Sequence, residues 1–241
     1  MVKQTAQGVE ELLRENTLGQ LNQKLELVHE QWATKFKPYK HVSEAYYRIE
    51  KDKNLLEKIR EAGGFETEES VAKSAEILGI FADDLKAYLT LGKQYNEAMK
   101  AAVDVEPLKQ EWAQLLESAP LHELTLDSFP EQAIEPFLVL YTTDLCMPCQ
   151  LLKPTFARLS HHFEKAPLHY SFDNALMKRE AICFIPQFVA YFPDGGKVYS
   201  GCGETTQEVW DTMHKLMTLG KGFKGQGRLE CSGEECRINP L

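Results

Sequence analysis

Two cysteines separated by two residues are the clearest candidates for chemistry in this sequence. Cys146 and Cys149 lie in YTTDLCMPCQLLKP, residues 141–154, with Pro148 between them. In a reducing compartment, such a pair serves redox catalysis or metal binding more often than structure. A redox pair needs one thiolate to attack a disulfide sulfur, whereas a metal site needs both thiolates as ligands. The spacing alone leaves a redox pair, a metal site and an inactive pair open.

The flanking residues predict a strand that leads directly into a helix. FLVLYTT, residues 137–143, is apolar enough for a strand buried on both faces, and a helical pattern begins at the cysteines. The first turn of a helix has unpaired N–H groups that favour negative charge. We therefore expect a stabilised thiolate and a lowered pKa for Cys146. Cys149 lies almost one helical turn further on, so its sulfur can approach that of Cys146.

The remaining C-terminal half alternates between strand and helix patterns. Asp194–Gly196 marks a hairpin turn, and Gly220 ends the last helix. The predicted strands after the cysteines are PLHYSFD (167–173), QFVAYF (187–192) and KVYSGCG (197–203), and the closing helix is TTQEVWDTMHKLMTLG (205–220).

The first 120 residues predict helices only. Apolar residues recur at spacings of three and four, as in the stripe from Leu18 to Trp32. A helical bundle core is the plain interpretation, and an exposed dimerisation or docking face is the alternative. SAEILGIFADDLKAYL, residues 74–89, has the rhythm of a helix-turn-helix, but Asp83 and Asp84 would face the DNA phosphates.

Charge and hydropathy exclude several functional classes. The 241 residues carry a formal net charge of −9, which disfavours nucleic acid as a partner. No apolar stretch is long enough to cross a bilayer. The polar start, MVKQTAQGVEELLREN, does not resemble a secretory signal, so we expect a cytoplasmic protein.

Three features in register make residues 124–219 resemble thioredoxin. The cysteine pair follows an apolar strand directly, Pro154 lies in the following helix, and Ile185-Pro186 precede the next strand. The resemblance covers about two-fifths of the chain and leaves the helical first half unassigned. It implies a thioredoxin-like central sheet flanked by helices.

The resemblance also implies roles for individual residues. Cys146 would attack a protein disulfide, and Cys149 would resolve the mixed disulfide. Pro186 would be a cis-proline facing the cysteines. The substrate groove would comprise Ile185, Pro186, Met147 and Pro148. No metal or bound cofactor is expected, because a reductase or a partner thiol donor supplies the electrons.

Several positions depart from the family pattern. Leu145 replaces the usual tryptophan, and Leu140 replaces the buried acidic residue of the central strand. His169 takes the place of the usual lysine partner, or Tyr170 does if the register shifts by one. Asp144 is expected at the surface, where its charge opposes a thiolate at Cys146. These departures support an alternative function, a thioredoxin-shaped adaptor with little or no turnover.

The other four cysteines allow competing interpretations. Cys183 is either a third thiol near the site or a small apolar filler, and Cys202 is expected to pack in the last strand. Cys231 and Cys236 lie in a polar, Gly-rich stretch expected to be mobile. They are an internal dithiol shuttle, two ligands of a zinc shared with the first pair, or inert residues.

The sequence thus predicts an α/β protein with a helical N-terminal region and a thioredoxin-like domain. The predicted function is that of a thiol–disulfide oxidoreductase acting on a protein disulfide or dithiol. A homodimer through the helical region is a further possibility. The predicted segments are a helical domain at 1–121, the thioredoxin-like domain at 122–220 and a cysteine-containing tail at 221–241.

Overall fold

Helices occupy most of the N-terminal half of the chain. The computed structural model describes residues 2–182, 184–232 and 235–241. The helices are α1 (Val2–Glu15), α2 (Thr17–Phe36), α3 (Lys40–Lys51), α4 (Lys53–Glu61), α5 (Glu68–Leu78), α6 (Ala82–Ala102), α7 (Glu106–Leu116), α8 (Met147–Ser160), α9 (Asn174–Arg179) and α10 (Thr206–Leu219). None of these helices is long and apolar enough to span a bilayer.

The C-terminal half forms one mixed sheet of seven strands. The strands are β1 (Leu121–Glu123), β2 (Phe137–Tyr141), β3 (Leu168–Ser171), β4 (Gln187–Tyr191), β5 (Lys197–Ser200), β6 (Gln226–Ser232) and β7 (Glu235–Pro240). Their spatial order is β1-β3-β2-β4-β5-β6-β7. Strand β2 runs parallel to β3 and antiparallel to β4, so the sheet is mixed.

Alternate residues of β2 are buried on opposite faces of the sheet. Phe137, Val139 and Tyr141 pack on the face that carries Leu176 of α9. On the other face, the Phe188 ring of β4 lies 5.5 Å from that of Phe156 in α8. Helices on both faces explain why all five residues of β2 are buried.

The chain divides into two compact units. One comprises residues 1–23 and 104–241, and the other comprises residues 24–103. The second unit has its own apolar core around Val42, Val71 and Leu85. A capping box of Thr67 and Ser70 begins its helix α5.

These units differ from the segments predicted at 1–121 and 122–220, because helices at both ends of the first segment pack with the sheet. The Trp112 ring of α7 lies 5.3 Å from that of Tyr170 in β3. Asn16, between α1 and α2, accepts a hydrogen bond from the Thr206 N–H at 3.0 Å.

Residues 221–241 also differ from the predicted mobile tail. Most of them form β6 and β7, and β6 pairs with β5 over Lys197–Tyr199. Gly227 and Leu229 are buried in alternation along β6. This alternation is the pattern of a half-buried strand, so the segment is a component of the sheet.

Candidate active site

The junction between β2 and α8 positions Cys146. Strand β2 ends at Tyr141, and Cys146 is the N-cap of α8 with an extended backbone. Its Sγ accepts a hydrogen bond from the Cys149 N–H at 3.2 Å. Pro148 occupies the first turn of α8, where a missing N–H costs no helical hydrogen bond. A backbone donor of the helix terminus therefore points at the sulfur of Cys146.

Cys146 and Cys149 form a disulfide in this structure. Their Cα atoms are 5.2 Å apart, within the usual range for a disulfide. Cys149 is fully buried, whereas Cys146 is half-buried. An attacking group from outside can therefore approach Cys146 but not Cys149.

The loop before β4 borders the same sulfur. The Ile185–Pro186 peptide bond is cis. The Ile185 carbonyl oxygen lies 3.8 Å from the Sγ of Cys146. The loop backbone thus runs beside the disulfide. Cys183, considered as an auxiliary thiol, lies outside the described residues.

Exposed apolar side chains adjoin Cys146 and the loop residue Ile185 in the chain. Leu145 is 97% exposed and Phe184 is 44% exposed. Met147 is half-buried and Pro148 is exposed. Exposed apolar side chains next to a reactive sulfur can contact a polypeptide, because their contact removes apolar area from water.

A buried lysine that the sequence analysis did not identify lies beside the site. Lys153 of α8 is 1% exposed, and its Nζ donates to Asp144 at 2.5 Å. Hydrogen bonding from Lys153 lowers the pKa of Asp144, and burial lowers the pKa of Lys153. Asp144 is exposed as predicted, but Lys153 offsets the charge that was expected to oppose a thiolate.

No carboxylate replaces the family's buried acid at position 140, where Leu140 is fully buried. A buried carboxylate does occur directly after α9, where Glu180 lies beside the end of β4 and the start of β5. Glu180 accepts hydrogen bonds from Lys197 at 2.7 Å and from the Tyr191 hydroxyl at 3.1 Å. Burial alone would raise the pKa of Glu180, but these partners and Arg179 lower it. The cluster borders a hollow of about 350 Å³ at the sheet edge opposite Cys146.

The other cysteines that the structure describes comprise one buried thiol and one further disulfide. Burial raises the pKa of Cys202 well above its usual range, so this thiol is unreactive. Cys231 and Cys236 form a disulfide across β6 and β7. Both cysteine pairs are therefore oxidised in this structure. Within the described ranges, no three metal-ligating side chains cluster.

Comparisons with solved structures gave a weak similarity. No protein-family model matches the chain, and no curated protein is similar to it. The crystal structure of the J-Trx1 fragment of ERdj5 aligns with 62% of this chain and 79% of that one. The TM-score is 0.37 and the sequence identity is 13%, which does not establish a shared fold.

Proposed function

We propose that this chain is a thioredoxin-like thiol–disulfide oxidoreductase acting on protein substrates through Cys146 and Cys149. The observation that supports it most is the disulfide at the β2–α8 junction, with one half-buried and one fully buried cysteine. The Cys149 N–H hydrogen bond to Sγ favours a thiolate on Cys146 over a thiolate on its partner.

The proposed exchange begins from the reduced pair. The Cys146 thiolate attacks one sulfur of a substrate disulfide, and the other substrate sulfur leaves as a thiolate. Cys149 then ionises and attacks the Cys146 Sγ, which releases the second substrate thiolate and forms the Cys146–Cys149 disulfide. Two electrons pass to the substrate, and an external dithiol or a reductase restores the pair. The loop at Ile185 and Pro186 is the proposed backbone contact for an extended substrate.

Insulin reduction by dithiothreitol tests the activity. The wild-type chain should accelerate the precipitation of insulin, and Cys146→Ser should abolish the acceleration. Cys202→Ala is the matched control, because it removes a cysteine that is buried and unpaired. Cys149→Ser should retain insulin chains as a mixed disulfide on Cys146. A wild-type rate equal to that of Cys146→Ser would reject the proposal.

One observation favours the adaptor function instead. Leu145 is almost fully exposed beside Cys146, where an apolar side chain suits a docked partner as well as a substrate. An adaptor predicts no insulin reduction and no mixed disulfide with Cys149→Ser. The same two measurements therefore distinguish the two functions.

A further inference from the structure

The second disulfide lies at the same edge of the sheet as the candidate active site. Strand β2 is antiparallel to β4, and β4 is antiparallel to β5, so β2 and β5 point the same way. Strand β6 is parallel to β5. The carboxyl ends of β2 and β6 therefore lie at the same edge of the sheet. Cys146 follows the end of β2, and Cys231 lies near the end of β6.

The strand register fixes how far apart these ends are. Leu140 pairs with Phe188, and Phe188 pairs with Ser200. Through Val189 and Tyr199, Arg228 is level with Val139, which places Cys231 one residue beyond the level at which β2 ends. Three steps between strands of about 4.8 Å each amount to roughly 14 Å across the sheet.

The hairpin that carries the second disulfide extends beyond its neighbour. Strand β6 pairs with β5 only as far as Arg228, and its last four residues pair with β7 alone. Leu229 is buried, but Cys231 is exposed and Cys236 is half-buried. A two-stranded hairpin without further support is only marginally stable, so Glu230, Cys231 and Ser232 can move relative to β5. Cys231 lies two residues beyond Leu229, a span of about 7 Å, and the two cysteine side chains bridge the remainder.

We propose that Cys231 and Cys236 are a second redox pair that passes electrons to Cys146 and Cys149 of the same chain. The proposal rests on the proposed function, because it supplies the dithiol that reduces the active-site disulfide. The hairpin tip would bend across the sheet edge, and Cys231 would make the contact because it is the more exposed of the two.

An external dithiol first reduces the Cys231–Cys236 disulfide. The transfer of electrons to the Cys146–Cys149 disulfide then needs no further reagent. The Cys231 thiolate attacks the Cys146 Sγ, the Cys146–Cys149 bond breaks, and Cys149 leaves as a thiolate that takes up a proton. The Cys236 thiolate then attacks the Cys231 Sγ and releases the Cys146 thiolate. Two electrons move from the hairpin to the active site. The two protons come from the hairpin thiols and pass to Cys149 and to Cys146 or solvent.

The surroundings of the two pairs set this direction. The Cys146 sulfur receives an N–H donor at the N-terminus of α8, which stabilises the reduced form of that pair. Cys231 and Cys236 lie in strands, and their charged neighbours among the described residues are Glu230, Glu235 and Arg237. The sum of these charges is negative, which disfavours thiolates. The active-site disulfide is therefore the stronger oxidant, and the hairpin dithiol is the donor.

A trapping experiment tests the contact. In a full-length background carrying Cys183→Ala and Cys202→Ala, the double variant Cys149→Ser/Cys236→Ser retains only Cys146 and Cys231. Mild oxidation should give a Cys146–Cys231 disulfide within the monomer, identified by peptide mass spectrometry. The matched variant Cys149→Ser/Cys231→Ser, which retains the half-buried Cys236, should give less of the corresponding link. A link found only between two chains, or no link, would overturn the proposal.

A second measurement tests the direction and separates this inference from the proposed function. With one equivalent of dithiothreitol per wild-type chain, alkylation should label Cys146 and Cys149 and leave the hairpin disulfide intact. The rate of transfer from a reduced hairpin should be unchanged by a tenfold dilution, because the reaction is intramolecular. Preferential labelling of the hairpin cysteines would contradict the proposed direction of transfer. A tenfold slower transfer on dilution would contradict transfer within one chain. If Cys149→Ser captures insulin but no Cys146–Cys231 link forms, only this inference fails.

Discussion

Cys146 and Asp144 lie two residues apart, and Lys153 controls how their charges interact. A carboxylate this close disfavours a thiolate on Cys146. Lys153 is buried and bonds to Asp144, and its Nζ also lies 4.5 Å from the centre of the Phe172 ring. Gln150 holds the same loop by donating to the Asp144 carbonyl oxygen at 2.8 Å. The lysine thus fixes the carboxylate and offsets its charge near Cys146.

Replacing Lys153 with methionine should reduce the reactivity of Cys146. Methionine fills a similar space, so the chain should still fold, but the Asp144 carboxylate loses its hydrogen-bonded cation and keeps only the weaker influence of Lys109. Two unit charges about 4 Å apart in water interact by about 1 kcal/mol, so iodoacetamide should alkylate Cys146 up to about fivefold more slowly near neutral pH. The measurement is the alkylation rate of the reduced protein as a function of pH.

Lys197→Met provides the control for this prediction. Lys197 also bonds to a carboxylate, that of Glu180, but at the opposite edge of the sheet. Its replacement should leave the alkylation rate of Cys146 unchanged. An equal loss of rate in both variants would indicate a general effect on folding, and no loss with Lys153→Met would show that the ion pair does not influence the thiolate.

Among the secondary-structure elements, the hairpin of β6 and β7 determines where the sheet ends. Without it, β5 would be an edge strand with unpaired backbone groups. Leu229 is the buried apolar side chain of β6, and the adjacent Arg228 is exposed. The hairpin is therefore packed at its base and exposed at its tip.

Truncation of Leu229 to alanine should lower the free energy of unfolding. A buried leucine loses about 2 kcal/mol or more when it is cut to alanine, because both burial and packing are lost. A mobile tail would show no such effect. Arg228→Ala, one residue away on the exposed side, should change the stability little. Urea unfolding followed by circular dichroism measures both variants, and equal stabilities would mean that the hairpin does not pack.

The sequence predicted the central strands of the sheet well. It predicted poorly the strand β6 at one side of the sheet and the helices α1 and α7 that belong to the same unit. Strands β2 and β4 are short apolar runs between turn residues, so their composition alone predicts them. Strand β6 is polar and Gly-rich, so the sequence predicted a mobile tail in its place. Its pairing comes from β5, which local sequence does not reveal. The helices α1 and α7 likewise could not be assigned to the sheet, because an apolar stripe does not identify its partner.

The candidate site shows the same limit. The spacing of Cys146 and Cys149 and the position of Pro186 relative to them were readable from the chain, although their catalytic roles stay predictions. The role of Lys153 could not be predicted from the sequence, because a lysine between apolar helix positions resembles a solvent-exposed residue. Its partner Asp144 lies in a loop whose path depends on tertiary structure. Glu180 was missed for the same reason, since Lys197 and Tyr191 come from other parts of the chain.

Across the unit that contains the sheet, three histidines couple stability to pH. Burial lowers the pKa of His162, His169 and His214 from the ordinary value of 6.5. Neighbouring charges contribute, with His161 beside His162 and His122 beside His169. Lys165 lowers the pKa of His214 further, and Asp211 opposes that effect. Each histidine also has a buried ring nitrogen without a hydrogen-bond partner among the described residues.

These histidines predict that the free energy of unfolding falls as the pH decreases from about 7.5 to about 5.5. Below 6.5 the unfolded chain binds protons that the folded chain binds only at lower pH, so acidification favours unfolding. The carboxylates of Asp144 and Glu180, whose pKa values are also lowered, lose their stabilising effect only in more acidic solution. Urea unfolding at several pH values measures the decline. His214→Gln should make it shallower, whereas His29→Gln, at an exposed position in the other unit, should not. A free energy of unfolding that rises on acidification would show that these rings are protonated in the folded chain.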